Sequence, residues 1–330
     1  PDIDREELRM TVETEGTSAD YTVHAVAYDG EESVGQAEQS ADETLTVPVP
    51  EPKLWSPTDP FLYDLQIELR SGDRVIDAVD SYFGMREISI GQDEDGITRL
   101  MLNGEPLFHY GLLDQGFWPG GLYTAPTDEA LRYDIEMTKK LGFNMARKHV
   151  KIEPARWYYW ADRLGLLVWQ DMPNGGAHVD RGEGEIERSA ASARQFEQEL
   201  GAMVDTHFNH PSIVMWVPFN EGWGQYETRR LTRWIKRRDP TRLVNSASGW
   251  NNLEVGDVSD VHAYPGPSAP HAEKERVAVL GEFGGLGLPL GGHTWQGEEN
   301  WGYESYESSE ELTNAFENLL EELRPLLTDP

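Results

Sequence analysis

The chain contains no cysteine, which excludes disulfides, thiolate catalysis and thiolate-bound metals. Positive charge is scarce as well. Against 59 Asp+Glu stand 28 Lys+Arg, of which only 7 are lysine, and the formal net charge is -31. The excess acid is spread along the chain rather than gathered in one tail. Its field repels phosphate backbones and anionic headgroups, so neither nucleic acid nor a membrane is an expected partner. Dispersed acid with little lysine resembles the halophilic pattern, in which concentrated salt screens self-repulsion, and predicts unfolding at low salt. No apolar run approaches the roughly 18 residues of a membrane span, so a soluble protein is expected. The opening residues, Pro1-Asp-Ile-Asp-Arg-Glu-Glu7, lack the basic region and apolar stretch of a signal peptide, which points to a cytoplasmic location. They also lack a start methionine and read as the edge of a domain cut from a longer protein, which leaves room for a secretion signal upstream.

With 330 residues, 38% of them hydrophobic, the chain can bury the core of one large or two ordinary domains. From Leu8 to about Ile90 it carries short alternating runs: Tyr21–Tyr28, Leu45–Val49 and Leu62–Leu69. Period two with turn residues between runs predicts antiparallel strands packed on one face, a small sandwich. After Asn103-Gly104 the rhythm becomes strand, loop, helix. Thr127 caps a helix ending at Leu141-Gly142, and a second helix runs from Pro154 to Leu164-Gly165, proline and glycine marking its two ends. Seven strands are predicted: Phe108–Leu113, Phe143–Lys148, Leu166–Gln170, Ile213–Pro218, Leu243–Ser246, Val258–His262 and Val277–Gly281. Further helices are expected over Ala190–His207, Tyr226–Arg238 and Ser309–Leu323. This alternation predicts a parallel α/β barrel, which places chemistry at strand C-termini. An eighth strand would follow the last helix, but the sequence stops at Thr328-Asp-Pro330, so the barrel reads as incomplete.

Two acidic residues close buried strands in glycine-flanked settings: Glu221 before Gly222, and Glu282 in Gly281-Glu-Phe-Gly-Gly285. Two converging carboxyls are what glycoside hydrolysis needs, one to protonate a leaving oxygen and one to attack the anomeric carbon. Asn220 can hydrogen-bond a sugar hydroxyl. Arg147 can hold a carboxylate ionised, and reads equally as half of a buried ion pair. Tyr264 is placed to donate to a nucleophile. Trp118, Trp169, Trp223, Trp250 and Trp295 fall in loops or at strand ends, where an indole can stack on a sugar. Trp157, Trp160 and Trp234 sit at helical spacing and read as packing. Asp114, Asp171, His149 and His262 are rim candidates, with structural and functional readings equally open. His207 and His210 have no HExxH pattern or carboxylate partner, so no metal is expected. The run Gly284–Gly292 fits neither phosphate-loop pattern and reads as an active-site loop, and Ser246 and Ser248 make no GxSxG elbow.

At these residues the sequence resembles glycoside hydrolase family 2, which includes β-galactosidases and β-glucuronidases. The matching stretches are Leu54-Trp-Ser-Pro57, Leu102-Asn-Gly-Glu-Pro-Leu107, Gly142-Phe-Asn-Met-Ala-Arg147, His210-Pro-Ser-Ile-Val-Met-Trp216, Asn220-Glu221 and Gly281-Glu-Phe-Gly-Gly285. The resemblance implies an immunoglobulin-like β-sandwich over residues 1–92. It implies an α/β TIM barrel, (β/α)8, over residues 93–330, apparently without its last strand; the family's N-terminal jelly roll is also absent. It further implies Glu221 as acid/base, Glu282 as nucleophile, Asn220 as 2-hydroxyl contact, and Arg147 and Tyr264 as orienting groups. Retention would follow, with the carboxyls about 5 to 5.5 Å apart. Glu221 would hold a raised pKa while hydrogen bonds keep Glu282 ionised. Substrate contacts are further expected from His262, Trp223, Trp169, Asp171, Asp114 and Trp295. The implied activity is that of a β-galactosidase-like enzyme using no cofactor, with β-glucuronidase as the second enzyme reading and an inactive carbohydrate-binding or structural module as the reading of another class. A carbohydrate is the expected partner, and a homo-oligomer is compatible with the sequence.

Overall fold

The computed structural model describes residues 1–16, 21–41, 43–295 and 302–328. Its first third is a β-sandwich. The strands are β1 (Glu7–Met10), β2 (Tyr21–Asp29), β3 (Glu32–Ser40), β4 (Leu45–Pro48), β5 (Tyr63–Ser71) and β6 (Arg74–Phe83). An antiparallel sheet of order β3-β2-β5-β6 faces the antiparallel pair β1-β4. Val23, Ala25, Ala27 and Leu65 from the larger sheet meet Leu8, Leu45 and Val47 from the smaller, and the Tyr63 and Phe83 rings stack at 5.2 Å beside them. Strands β3 and β6 were not foreseen. Both lie at sheet edges with most side chains in solvent, so burial imposes no apolar alternation on them.

A three-stranded antiparallel sheet follows: β7 (Ile88–Gln92), β8 (Thr98–Leu102) and β9 (Glu105–Pro106). It sends Ile88, Leu100 and Leu102 into an apolar cluster shared with the barrel interior. The barrel strands are β10 (Gly111–Asp114), β11 (Met145–Lys148), β12 (Leu167–Asp171), β13 (Ile213–Val217), β14 (Leu243–Val244), β15 (Val258–Ala263) and β16 (Val277–Phe283). Strands β10 to β14 pair in parallel in chain order, and β15 pairs in parallel with β16. Around them stand α1 (Asp128–Lys140), α2 (Ala155–Leu164), α3 (Ala190–His207) and α4 (Thr228–Arg238), with α5 (Ser309–Thr328) last. The small pair β17 (Leu286–Gly287) and β18 (Glu304–Ser305) lies between β16 and α5.

Local signals set these boundaries. Thr127 Oγ1 accepts the Ala130 N–H at 3.1 Å to start α1, and Gly165 closes α2 in the left-handed region at φ 74°. The expected strand at Phe108 begins three residues later. Asn144 bonds Tyr110 N and Phe108 O through its side chain, each at 2.8 Å, and so takes those backbone groups out of the ladder. Ala146, Val168, Ile213 and Trp216 face the helices, whereas Met145, Leu167, Trp169, Met215 and Val217 face inward. Burial on both faces explains why these strands read as continuous apolar runs.

Seven strands form the ring among the described residues. Between β16 and β10 the ring is open, and a cavity of about 490 Å³ lies there, lined by Leu112, Val279, Leu323 and Leu327 among others. The sandwich is fastened to the opposite side of the barrel. Arg86 donates to the carbonyls of Pro211, Ile213 and Thr241, while Tyr82 donates to Asp162 at 2.7 Å. Asp162 also accepts from Ser212 N and bonds His210 Nδ1. His210 and its proline are therefore part of a structural joint, and His207 bonds the Met203 carbonyl of its own helix.

Candidate active site

The C-terminal ends of β11, β12, β15 and β16, with the loops after β13 and β14, converge on Glu221 and Glu282. One oxygen of each carboxyl and a ring nitrogen of His262 lie within 4.8 Å of one another. Glu282, buried near the end of β16, has both oxygens occupied. Arg147 Nη1 donates to Oε1 at 3.0 Å and the Tyr264 hydroxyl to Oε2 at 2.7 Å. Those are the surroundings of an anion fixed in orientation. Burial and the Glu282 charge together push the Tyr264 hydroxyl far above its ordinary value, so it stays a donor.

Arg147 is the hub. Its Nε and Nη2 grip Asp171 at 3.0 and 2.9 Å, and Nη2 also donates to Asn220 Oδ1 at 2.8 Å. Burial alone would weaken the guanidinium as a cation, but the Asp171 and Glu282 charges outweigh it and raise its pKa. Asn220, with its oxygen committed to Arg147, turns its NH2 group the other way. Two carboxylates and an imidazole at this spacing have the donor set of a cation site, yet the guanidinium already supplies the positive charge there. We therefore read the cluster as an ion-pair network.

Glu221 sits in the left-handed region at φ 52°, a strained backbone for a side chain of its size, locked by its N–H to Ser248 O at 2.9 Å. Its environment differs from expectation. The hydrogen bond from His262 Nδ1 to Oε1, 2.8 Å long, outweighs partial burial and lowers the Glu221 pKa below its ordinary value. The expected raised pKa assumed that desolvation would dominate, but here a donor faces the carboxyl directly.

Other candidates divide by placement. Asp171 is buried with both oxygens on Arg147, and Trp169 points into the barrel, its indole donating to His109 Nδ1 at 3.0 Å. Strand-end position suggested sugar contact for these two, but both side chains turn inward, where they support the site from below. Asp114 accepts from Lys148 Nζ and Gly116 N. His149 takes a hydrogen bond from Gln115 on Nδ1 at 2.9 Å and directs Nε2 towards Glu282 at 3.5 Å. Burial lowers its pKa, so the ring is neutral, and Nε2 makes no hydrogen bond among the described residues. Trp223 is 44% exposed and its ring meets His178 at 4.9 Å; His178 also meets Trp250, which covers His262 at 6.1 Å. This aromatic strip runs outward from Glu221. Trp295 stands 65% exposed, and among the described residues no hydrogen bond or ring contact joins it to the carboxylates. Sequence reasoning passed over His178, Gln115 and Asp260, and weighed Ser248 only as a nucleophile elbow. Only Asp260 left a signal, a carboxylate two residues before His262 on one strand, and hence on the same face.

Comparison with known proteins agrees with this architecture. The family model described as Glycosyl hydrolases family 2 matches residues 1–86, and the one described as Glycosyl hydrolases family 2, TIM barrel domain, matches residues 124–274. A putative beta-glucuronidase of Formosa agariphila is 27% identical over 96% of this chain and 30% of its own length. A beta-galactosidase of Pectobacterium atrosepticum is 29% identical over 74% of this chain and 24% of its own length. The chain thus spans less than a third of these curated relatives. The solved beta-D-glucuronidase of Dictyoglomus thermophilum shares the fold, with a TM-score of 0.66 and 21% identity over 78% of this chain and 45% of that one. Two models of a single family cover the sandwich and most of the barrel, and the chain belongs to family 2 of the glycosyl hydrolases.

Proposed function

We propose that this chain carries the catalytic centre of a retaining β-glycosidase acting on terminal, neutral β-linked sugars in the manner of a β-galactosidase. The observation that carries the reading is the approach of Glu221 and Glu282 oxygens to within 4.8 Å, close to the roughly 5 to 5.5 Å carboxyl spacing of double displacement and too short to admit a water between them. Glu282, held by Arg147 and Tyr264, attacks the anomeric carbon. Glu221 protonates the departing oxygen and then deprotonates the water that cleaves the glycosyl-enzyme. The Asn220 amide donates to the hydroxyl beside the anomeric carbon. The leaving group departs on the Glu221 side, along Trp223, His178 and Trp250. We assign β1 to β6 to the sandwich; the expected boundary at residue 92 would split β7 from β8, so we place it near residue 86 and count the β7-β8-β9 sheet with the catalytic barrel.

The preference for a neutral sugar rests on the cations of the site. Arg147 is spent on Asp171, Glu282 and Asn220, and Lys148 on Asp114 and Glu153, while Lys151 bonds two carbonyls. Arg181, over the Trp250 ring at 5.2 Å, lies on the leaving-group side. The relatives carry both names, so a uronide is the second reading. Turnover of aryl β-galactosides and β-glucuronides by the full-length protein distinguishes them. Glu282→Gln should abolish turnover, and the sugar released first should keep its β configuration. Inversion, or a Glu282→Gln variant at near-normal rate, would reject the assignment.

A further inference from the structure

Behind Glu221 lies a file of buried polar groups that double displacement does not use. His262 Nε2 is 2.8 Å from Ser248 Oγ, and Ser248 Oγ is 2.5 Å from Asp260 Oδ2. Asp260 also receives Asn245 Nδ2 at 2.6 Å and the Gly281 N–H at 2.8 Å. Ser248 is 0%, Asp260 2% and His262 7% exposed. Two glycines admit this file. A Cβ at Gly249 would fall 2.8 Å from His262 Nδ1, and one at Gly281 would fall 2.3 Å from Asp260 Oδ1. Three hydrogen bonds thus link a sealed carboxyl to the one at the mouth of the site.

The same bonds can be made in two directions without moving a heavy atom. In one, Asp260 carries a proton and donates to Ser248, Ser248 donates to His262 Nε2, and His262 Nδ1–H donates to an ionised Glu221. In the other, Glu221 is protonated and donates to Nδ1, Nε2–H donates to Ser248, and Ser248 donates to an ionised Asp260. Passing from the first to the second moves three protons by one hydrogen bond each. One proton is thereby transferred from Asp260 to Glu221, and the imidazole is neutral in both states, exchanging its tautomer.

We propose that Asp260, Ser248 and His262 are positioning residues that form a proton relay, storing on Asp260 the proton that Glu221 delivers to the leaving group; the proposal rests on the reading of Glu221 as the acid/base. Burial raises the Asp260 pKa above its ordinary value against the opposing Arg147 charge and the hydrogen bonds of Ser248 and Asn245, whereas the His262 hydrogen bond lowers that of Glu221. The proton therefore rests at the far end. Other groups facing the file are Arg147 Nη1, 3.5 Å from His262 Nε2, and Glu282 Oε2, 3.5 Å from Nδ1. His149 adds an interaction with Glu221, and the Trp250 ring covers the imidazole. As Glu221 gives its proton to the leaving oxygen, it draws on the single proton stored on Asp260, and both carboxyls are left ionised for the second step. The proton abstracted from water in the second step refills Asp260.

The test uses the full-length protein. In Ser248→Ala, kcat/KM for aryl glycosides with acidic leaving groups should stay within about threefold of wild type, while poor leaving groups should lose about 10- to 100-fold, less than the roughly 10²- to 10⁴-fold that general acid catalysis supplies in full. The wild-type proton inventory in mixed heavy and light water should be curved for poor leaving groups and become linear in the variant. Nitrogen-15 NMR of the wild type at pH 7 should show His262 as the neutral Nδ1–H tautomer. Equal losses across leaving groups, a linear wild-type inventory, or an imidazolium signal would each overturn the relay. A wild type without glycosidase activity would instead defeat the functional reading, and the imidazole signal would still decide on the relay.

Discussion

Glu221 combines a strained backbone with a stabilised charge, and the second makes a prediction about pH. Its folded pKa lies below the ordinary 4.5 because His262 donates to it. The stabilising contribution is therefore complete above the unfolded value and is lost as pH falls through the lower folded one. Glu221→Gln removes that linkage. Urea midpoints of the variant at pH 7 and pH 3 should lie closer together than those of the wild type; an unchanged gap would mean that the carboxyl adds nothing to acid sensitivity. The side chains that the structure brings together drew notice because an ionisable group at the end of an apolar strand is a conspicuous pattern: Glu282, Arg147 and Tyr264 lie at or just past strand ends, Glu282 alone beside glycine. Asp171 and Trp169 lie at or near the end of β12 as well and turn inward, since position along a strand does not say which way a side chain points. Ser248 and Asp260 could not be read as partners, because their contact spans the junction of β14 and β15, which no local pattern encodes.

At the scale of elements, punctuation was the reliable signal. Thr127, Pro154 and Gly165 mark helix ends that the fold keeps, and α3 runs over the predicted Ala190–His207. The edge strands β3 and β6 escaped notice because exposed strands carry no burial pattern. The joint between sandwich and barrel was not legible as such; of its residues, the sequence reading singled out only Leu54-Trp-Ser-Pro57, His207 and His210, none of them as a joint. Its physics is now plain. Arg86, buried so deeply that its pKa is pushed down to about 9, caps three carbonyls. Asp162, fully buried, collects Tyr82, Ser212 and His210, while its own carbonyl accepts the Trp55 indole at 2.8 Å. Asp162→Ala strands the buried Ser212 N–H and two half-buried partners, Tyr82 and His210, and should cost about 2–4 kcal/mol, as leaving buried polar groups unsatisfied does. Urea unfolding should show a single transition shifted to lower concentration. Separate transitions for sandwich and barrel would show that the joint does not couple them.

Across the whole molecule, the net charge of -31 sets the condition under which these local arrangements persist. The exposed ion pairs, such as Arg156 with Asp128 or Arg132 with Glu136, each contribute little in water. They cannot offset repulsion among 59 acids served by 28 cations. Screening can: the Debye length falls from about 10 Å at 0.1 M salt to about 3 Å at 1 M, so distant carboxylates cease to repel while the buried Arg147 network is hardly touched. The unfolded chain spreads its charges further apart and gains less from salt, so added salt should stabilise the folded state. The Tm should rise by more than about 5 °C between 0.1 and 2 M KCl, equivalent to roughly 3–4 kcal/mol or more for a chain of this size. Lithium or sodium chloride should act in the same direction, because the effect belongs to ionic strength, whereas sucrose at matched osmolarity should reproduce only a small part of it. A Tm that is flat or falls over this range would mean that local pairing already balances the surface acid and that the composition carries no salt requirement.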